Sequence, residues 1–147
     1  MINYLKSGLV TAALSSLLAG QPAVAAQSVE TVAVALAGEA GEPMKIDIDK
    51  AVVKAGTIEF KVSNVAVGTD HEMVLVKLAN KDQKIAADPK THRIDEKKLK
   101  SLGEVAGLKA GDTGVLKVKL AAGEYALICN HKSHYELGMA TRVSVTN

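Results

Sequence analysis

Tyr125 to Met139 reads YALICNHKSHYELGM, and this stretch near the C-terminus decides how the rest of the chain is interpreted. It contains Cys129, the only cysteine among 147 residues, together with two of the four histidines. Four residues separate Cys129 from His134, and four more separate His134 from Met139. Thiolate, imidazole and thioether are soft donors that suit copper, and a second imidazole beside them completes a blue copper site. The candidate for that second imidazole is His71.

From Val29 onward, apolar and polar residues alternate in short runs, which predicts half-buried strands. The predicted strands are Val29–Leu36, Met44–Asp49, Thr57–Ser63, His71–Leu78, Gly114–Leu120, Glu124–Asn130 and Ala140–Thr146. Short strands with turn residues between them favour an all-β protein, an antiparallel β-sandwich. Tyr125 follows the Gly123 turn and is interpreted as a corner tyrosine whose hydroxyl bonds back to the backbone, with plain core packing as the alternative.

Residues 79–109 interrupt this alternation. Asp95 to Leu102 is predicted to form a short helix with Asp95 as its N-cap. The basic excess of this segment favours a solvated surface, and a docking face for an acidic partner is the alternative. His92 has no ligand spacing and is interpreted as an exposed loop histidine.

The first 26 residues are predicted to be a secretory signal peptide, which leaves residues 27–147 as one domain. The apolar run Leu9–Ala19 precedes the small residues Ala23–Ala26, where cleavage is expected after Ala25 or Ala26. The alternative, an uncleaved membrane anchor, is disfavoured because the apolar run is short. A periplasmic or otherwise exported protein is therefore expected.

Export makes the single cysteine informative, because cysteines of exported proteins usually pair as disulfides. Cys129 has no partner within the chain, so it is an intermolecular bridge, a reactive thiol, a buried apolar side chain or a metal ligand. Its histidine and methionine neighbours favour a metal ligand. The net charge of +2 gives no indication of nucleic-acid binding, and 48% hydrophobic residues suffice for one core.

The chain resembles the cupredoxin family, which includes plastocyanin, azurin and sulfocyanin, over roughly residues 29–146. The residues that carry the resemblance are the Asn64 turn before His71-Glu72-Met73, Gly123 with Tyr125, Cys129-Asn130, His134-Tyr135 and Gly138-Met139. The resemblance implies a Greek-key β-sandwich of seven to eight strands with one short helical insert. It also implies one copper ion, cycling between Cu(I) and Cu(II), with equatorial ligands His71, Cys129 and His134 and the axial ligand Met139. In the family the histidine of the C-terminal loop, here His134, is the usual electron port.

Two positions depart from the family pattern. His131 is a rival of His134, because a Cys-x-His spacing on an extended strand end places both side chains on one face. We favour His134 because its spacing to both Cys129 and Met139 fits the loop. Glu72 stands where plastocyanin has Asn, and we expect it to tie His71 or the ligand loop in place rather than to bind the metal.

These features predict an exported blue copper protein that carries single electrons between redox protein partners and is not an enzyme. The alternatives are a periplasmic module that binds or carries copper without electron transfer, and a copper enzyme with reshaped coordination. We expect a monomer that meets its partners transiently, binds no nucleic acid and has no stable membrane insertion after signal cleavage. Cysteine and two histidines would also hold Zn²⁺, but the thioether of Met139 favours copper.

Overall fold

The computed structural model describes residues 29–147, so the predicted signal peptide lies outside the described residues. The strands of this part of the chain are β1 (Glu30–Ala37), β2 (Lys45–Ile48), β3 (Val52–Lys54), β4 (Gly56–Asn64), β5 (His71–Leu78), β6 (Ala87–Asp88), β7 (Arg93–Ile94), β8 (Lys100–Leu108), β9 (Thr113–Leu120), β10 (Gly123–Ile128) and β11 (Ala140–Thr146). A 3₁₀ turn, Glu96–Lys98, is the one helical element between residues 29 and 147. Over the same range, no helix has the length and apolar content needed to cross a membrane.

Two sheets form a β-sandwich, which confirms the all-β prediction. One sheet has the strand order β2-β1-β4-β9, and the other has the order β3-β11-β10-β5-β8. Most neighbouring strands are antiparallel, but β1 pairs with β4 and β3 pairs with β11 in parallel, so both sheets are mixed. The short strands β6 and β7 pair only with each other and form a small hairpin beside the sandwich.

The main core lies between the two sheets and is built largely from aliphatic side chains. In β4 the alternating residues Ile58, Phe60 and Val62 are at most 1% exposed, which agrees with the predicted inward face. Burial of each such side chain contributes about 1.5–3 kcal/mol to folding. Tyr125 is also buried, and its hydroxyl donates to the carbonyl of Ala121 over 2.7 Å, so the predicted corner tyrosine is confirmed.

Strand β5 is buried on both faces. Met73 and Leu75 contact the main core, as the alternation predicts, whereas Val74 and Val76 belong to a second apolar cluster that includes Ile94. A strand covered on both faces appears in the sequence as a continuous apolar run. The second cluster shows that the segment before β8 packs on the outer face of the sheet.

The predicted helix over residues 95–102 is wrong. Asp95 is an N-cap, since its carboxylate accepts from Lys97 N over 3.1 Å, but the 3₁₀ turn ends after one turn. The backbone from residue 100 onward pairs with β5 as the antiparallel strand β8. Gly103 has φ +143°, and a Cβ there would lie 2.8 Å from Leu116 Cδ1, so this position is suited to glycine and not to a helix. The segment outside the sandwich is therefore residues 79–99, called the insert below.

Candidate metal centre

Four side chains with metal-binding atoms come from one end of the sandwich. His71 begins β5 and Cys129 directly follows β10, and these strands are antiparallel neighbours. The start of one strand therefore lies beside the end of the other. His134 lies in the loop between β10 and β11, and Met139 directly precedes β11. The predicted site residues thus lie at the start of β5 and in the segment that joins β10 to β11, and these three strands are neighbours in one sheet.

The donor atoms of His71, Cys129 and His134 converge. One ligand atom from each residue lies within 4.8 Å of the others. His134 Nδ1 is 3.2 Å from His71 Nδ1 and 3.4 Å from Cys129 Sγ. The two imidazole rings meet edge to face with centroids 5.1 Å apart. At these separations, two nitrogens and one sulfur can all reach a single ion through bonds of about 2.0–2.3 Å.

A backbone carbonyl sets the orientation of the His71 ring. His71 Nε2 donates to Gly38 O over 3.0 Å, which leaves the lone pair on Nδ1 directed toward His134 and Cys129. The His71 side chain is fully buried, and this burial lowers its pKa. The ring is therefore uncharged at neutral pH, and its Nδ1 lone pair is available to a metal ion.

The loop that leads into His71 is held by two polar side chains. Asn64 Nδ2 donates to Thr69 O over 2.8 Å and to Leu108 O over 2.9 Å. Glu39, next to Gly38, accepts from Val67 N and from the Thr69 hydroxyl. These bonds join the segment that orients the His71 ring to the loop that carries it. Asn64 is part of the family resemblance, whereas nothing in the sequence signals Glu39.

Backbone hydrogen bonds explain the spacing of the ligand loop, residues 129–139. Met139 N donates to His134 O over 3.0 Å, and Cys129 N donates to Met139 O over 3.1 Å. Gly138 allows the final turn with φ +102°, where a Cβ would lie 3.0 Å from Met44 O. Two spacings of four residues therefore bring the backbone of Met139 beside that of both Cys129 and His134. Met139 is fully buried in the same apolar cluster as Cys129.

The three converging groups are neutral in the metal-free protein. Burial raises the pKa of the Cys129 thiol to about 11. Burial, followed by the neighbouring His71, lowers the pKa of His134 to about 4. A buried thiol is a poor nucleophile, because the thiolate is the reactive form. The arrangement therefore suits a cation, which compensates the charge of the thiolate when the proton leaves.

The rivals for the metal lie outside the converging set. His131 Nε2 is 3.7 Å from a carboxylate oxygen of Glu72, and its ring centroid is 5.3 Å from that of His134. The other carboxylate oxygen of Glu72 accepts from Asn130 N over 3.0 Å. Glu72 thus ties the ligand loop in place, as predicted, and burial raises the pKa of its carboxyl group.

The insert contacts the ligand loop, and no pattern in the sequence indicates this contact. His92 was predicted to be an exposed loop histidine, and its side chain is indeed 44% exposed. However, its Nδ1 donates to Glu136 Oε2 over 2.8 Å, and its carbonyl accepts from Ser133 N over 2.8 Å. Asn130, which was noted only as the residue after Cys129, is 4% exposed and bonds to the insert. Most of these partners are backbone atoms, which no residue pattern reveals.

Comparisons with known proteins agree with this geometry. The family model of copper-binding proteins of the plastocyanin/azurin family matches residues 32–146. No curated protein matches the chain. Among solved structures, auracyanin from the photosynthetic bacterium Roseiflexus castenholzii has 20% identity and a TM-score of 0.58, covering 83% of this chain and 100% of its own.

Two further structures are similar. Auracyanin A, a blue copper protein from the green thermophilic photosynthetic bacterium Chloroflexus aurantiacus, has 20% identity and a TM-score of 0.58, covering 81% of this chain and 100% of its own. The copper protein rusticyanin has 16% identity and a TM-score of 0.61, covering 80% of this chain and 78% of its own. At these identities the structural likeness establishes the fold.

Proposed function

Because the chain belongs to the plastocyanin/azurin family of copper-binding proteins, we propose that it carries single electrons through one copper ion held by His71, Cys129 and His134. Met139 is proposed as the weak axial ligand. The observation that carries this proposal is the convergence of three donor atoms within 4.8 Å at the end of a β-sandwich. Two imidazoles and a thiolate with an axial thioether form the donor set of blue copper sites, which transfer electrons.

The frame around these residues supports electron transfer. Cu(I) and Cu(II) prefer different geometries, so a frame that holds the ligands limits rearrangement during transfer. Gly38 holds the His71 ring, and backbone bonds of Met139 join it to Cys129 and His134. We propose no enzymatic activity, since a copper oxidase or reductase needs further copper ligands and the chain has only four histidines.

His134 is the proposed electron port. Its ring is partly exposed, whereas His71 and Cys129 are buried. Val67, in the loop that precedes His71, is 91% exposed and offers an apolar contact at the same end. A monomer that meets redox protein partners transiently at this end fits the arrangement. We also propose export with removal of residues 1–26, which N-terminal sequencing of the mature protein would test.

A matched pair of histidine variants tests the ligand assignment. The mature protein loaded with Cu(II) should show an intense visible thiolate-to-copper band, a blue copper EPR spectrum and a reversible redox couple. His134→Ala should lose this band, because the His134 ring has its Nδ1 3.4 Å from Cys129 Sγ. His131→Ala should keep it, because the His131 ring has its Nε2 beside Glu72. Cys129→Ser should be colourless, whereas His92→Ala should stay blue. The opposite result for the two loop histidines would show that the assignment is wrong.

The same measurements, together with the rate of electron self-exchange, separate the carrier from the alternative function. A protein that holds only Cu(I), or that gives a colourless Cu(II) complex, would be a copper-binding module without an electron-transfer role. A reversible couple with rapid electron self-exchange supports the carrier, because a storage site has no need of fast exchange.

A further inference from the structure

The insert is bonded to Asn130, the residue that follows Cys129. Both the oxygen and the nitrogen of the Asn130 side-chain amide take part. Ile94 N donates to Asn130 Oδ1 over 2.6 Å, and Asn130 Nδ2 donates to Ile94 O over 3.0 Å. The Asn130 side chain thus pairs with the insert as a neighbouring strand would. Both residues are at most 5% exposed, so water does not replace these bonds. Buried polar groups without partners are costly, which makes this pairing specific.

Further bonds join the insert to the ligand loop along its length. They are Arg93 Nη1 to Asn130 O (3.0 Å), Ser133 N to His92 O (2.8 Å), Tyr135 Oη to Ile85 O (3.0 Å) and His92 Nδ1 to Glu136 Oε2 (2.8 Å). The contacts therefore begin one residue after Cys129 and continue past His134. Three of the four acceptors are backbone carbonyls, which hold a fixed position better than long side chains do.

Asn130 also connects the insert to the other ligand strand. Its backbone N donates to the carboxylate of Glu72, the residue after His71. Its side-chain amide donates to Glu96 Oε1 over 2.6 Å, at the start of the 3₁₀ turn. One buried residue thus links the end of β10, the start of β5 and the insert.

We propose that residues 85–94 act as a brace that fixes the ligand loop, with Asn130 as the positioning residue through which the brace holds Cys129 and His134. This inference rests on the proposed function, since it assigns the insert a role in keeping the proposed ligands still. Ser133 explains why a brace is needed. Its φ of +69° lies in the left-handed region, which residues other than glycine rarely adopt. The bond from Ser133 N to His92 O holds the loop in this conformation, directly before His134.

The brace has a packing role that the test must separate from positioning. Ile94 belongs to the second apolar cluster, which covers the outer face of β5 and β10. A variant that loosens this cluster lowers stability whether or not the ligands move. The readouts must therefore report on the loop itself, and the control must destabilise the insert without touching the loop.

Asn130→Ala is the test variant and Asp95→Ala is the control. Asn130→Ala removes both bonds to Ile94 and the bond to Glu96. Asp95→Ala removes the cap of the 3₁₀ turn and the ion pair with Lys98, and neither of these contacts the ligand loop. The first readout is amide hydrogen exchange of the metal-free full chain, followed at residues 133 and 134. We expect exchange there to rise by about tenfold or more in Asn130→Ala and to stay near wild type in Asp95→Ala.

The second readout uses the copper-loaded protein. Asn130→Ala should broaden the EPR spectrum and slow electron self-exchange, while Asp95→Ala should leave both unchanged. Arg93→Met, which removes only the bond to Asn130 O, should give a smaller change in the same direction. It is also the second test should Asn130→Ala fail to fold.

The outcomes separate the brace from the proposed function. The brace would be overturned if amide hydrogen exchange at residues 133 and 134 were unchanged in both Asn130→Ala and Arg93→Met. It would also be overturned if Asp95→Ala changed this exchange as much as Asn130→Ala does. A wild-type protein without a reversible couple would overturn the electron carrier. In that case the amide hydrogen exchange of the metal-free chain would still test the brace in full.

Discussion

Copper loading of the metal-free protein should release one proton at neutral pH, and this proton should come from Cys129. Burial raises the pKa of its thiol to about 11, so the thiol is protonated at pH 7. The thiolate is the form that binds a metal ion. His71 and His134 add no proton, because burial lowers the pKa of both rings and neutral imidazole binds directly.

The effect of the thiol proton on copper affinity follows from the difference between the pKa of the Cys129 thiol and the working pH. Each pKa unit corresponds to about 1.36 kcal/mol, so removing the proton at neutral pH costs about 5 kcal/mol. The apparent binding constant should therefore lie about four orders of magnitude below its limiting value. It should rise about tenfold for each pH unit between about pH 7 and about pH 10.

Isothermal titration calorimetry under anaerobic conditions measures this linkage. Copper(II) is titrated into the metal-free protein in two buffers with different ionisation enthalpies, and the difference in heat gives the number of protons released. A repeat with Zn²⁺, which has no redox chemistry, removes any contribution from thiol oxidation. His92→Ala should release the same number of protons as the wild type. A binding constant that is level across this pH range, with no proton released, would refute the assignment of Cys129 as a ligand.

Two further predictions concern the metal-free fold. Tyr125→Phe should lower the free energy of unfolding by about 0.5–1.5 kcal/mol, because it removes the hydrogen bond to Ala121 O. An unchanged midpoint of urea unfolding would contradict a stabilising role for this hydrogen bond. His134, whose pKa is lowered to about 4 from 6.5, should make stability fall as the pH drops from 6.5 through 4, because the unfolded chain takes up the proton first. The loss should be at most about 3 kcal/mol, since partial exposure of the ring screens the effect, and urea unfolding of wild type and His134→Gln across this range measures it.

The strands that could be predicted are those whose burial alternates along the sequence. His71–Leu78 and Ala140–Thr146 agree with the structure at both ends. In such strands one face contacts the core, so the local pattern already contains the tertiary information. The edge strand Lys100–Leu108 was missed, because only two of its residues are buried and it contains two glycines. Its conformation comes from pairing with β5, which is a long-range property.

The candidate site divides in the same way. Cys129, His134 and Met139 could be grouped from the sequence because one loop carries them, and backbone bonds within that loop bring them together. His71 is 58 residues away from Cys129 in the chain, so its place rested on the family resemblance and on its position at the start of a strand. The structure brings it to the other donors through the pairing of β5 with β10.

The contact between the insert and the ligand loop lies beyond sequence reasoning for a physical reason. Ile94 and His92 offer backbone atoms to the loop, and every residue type other than proline has the same two backbone groups. The insert is therefore free to vary in sequence while it keeps these bonds, provided that its backbone follows the same path. On the loop side the requirement is stricter, because the side chain must accept from Ile94 N and donate to Ile94 O, as the amide of Asn130 does through its separate Oδ1 and Nδ2 atoms. A substitution at position 130 would therefore show from the sequence that the bonds between the ligand loop and Ile94 are lost.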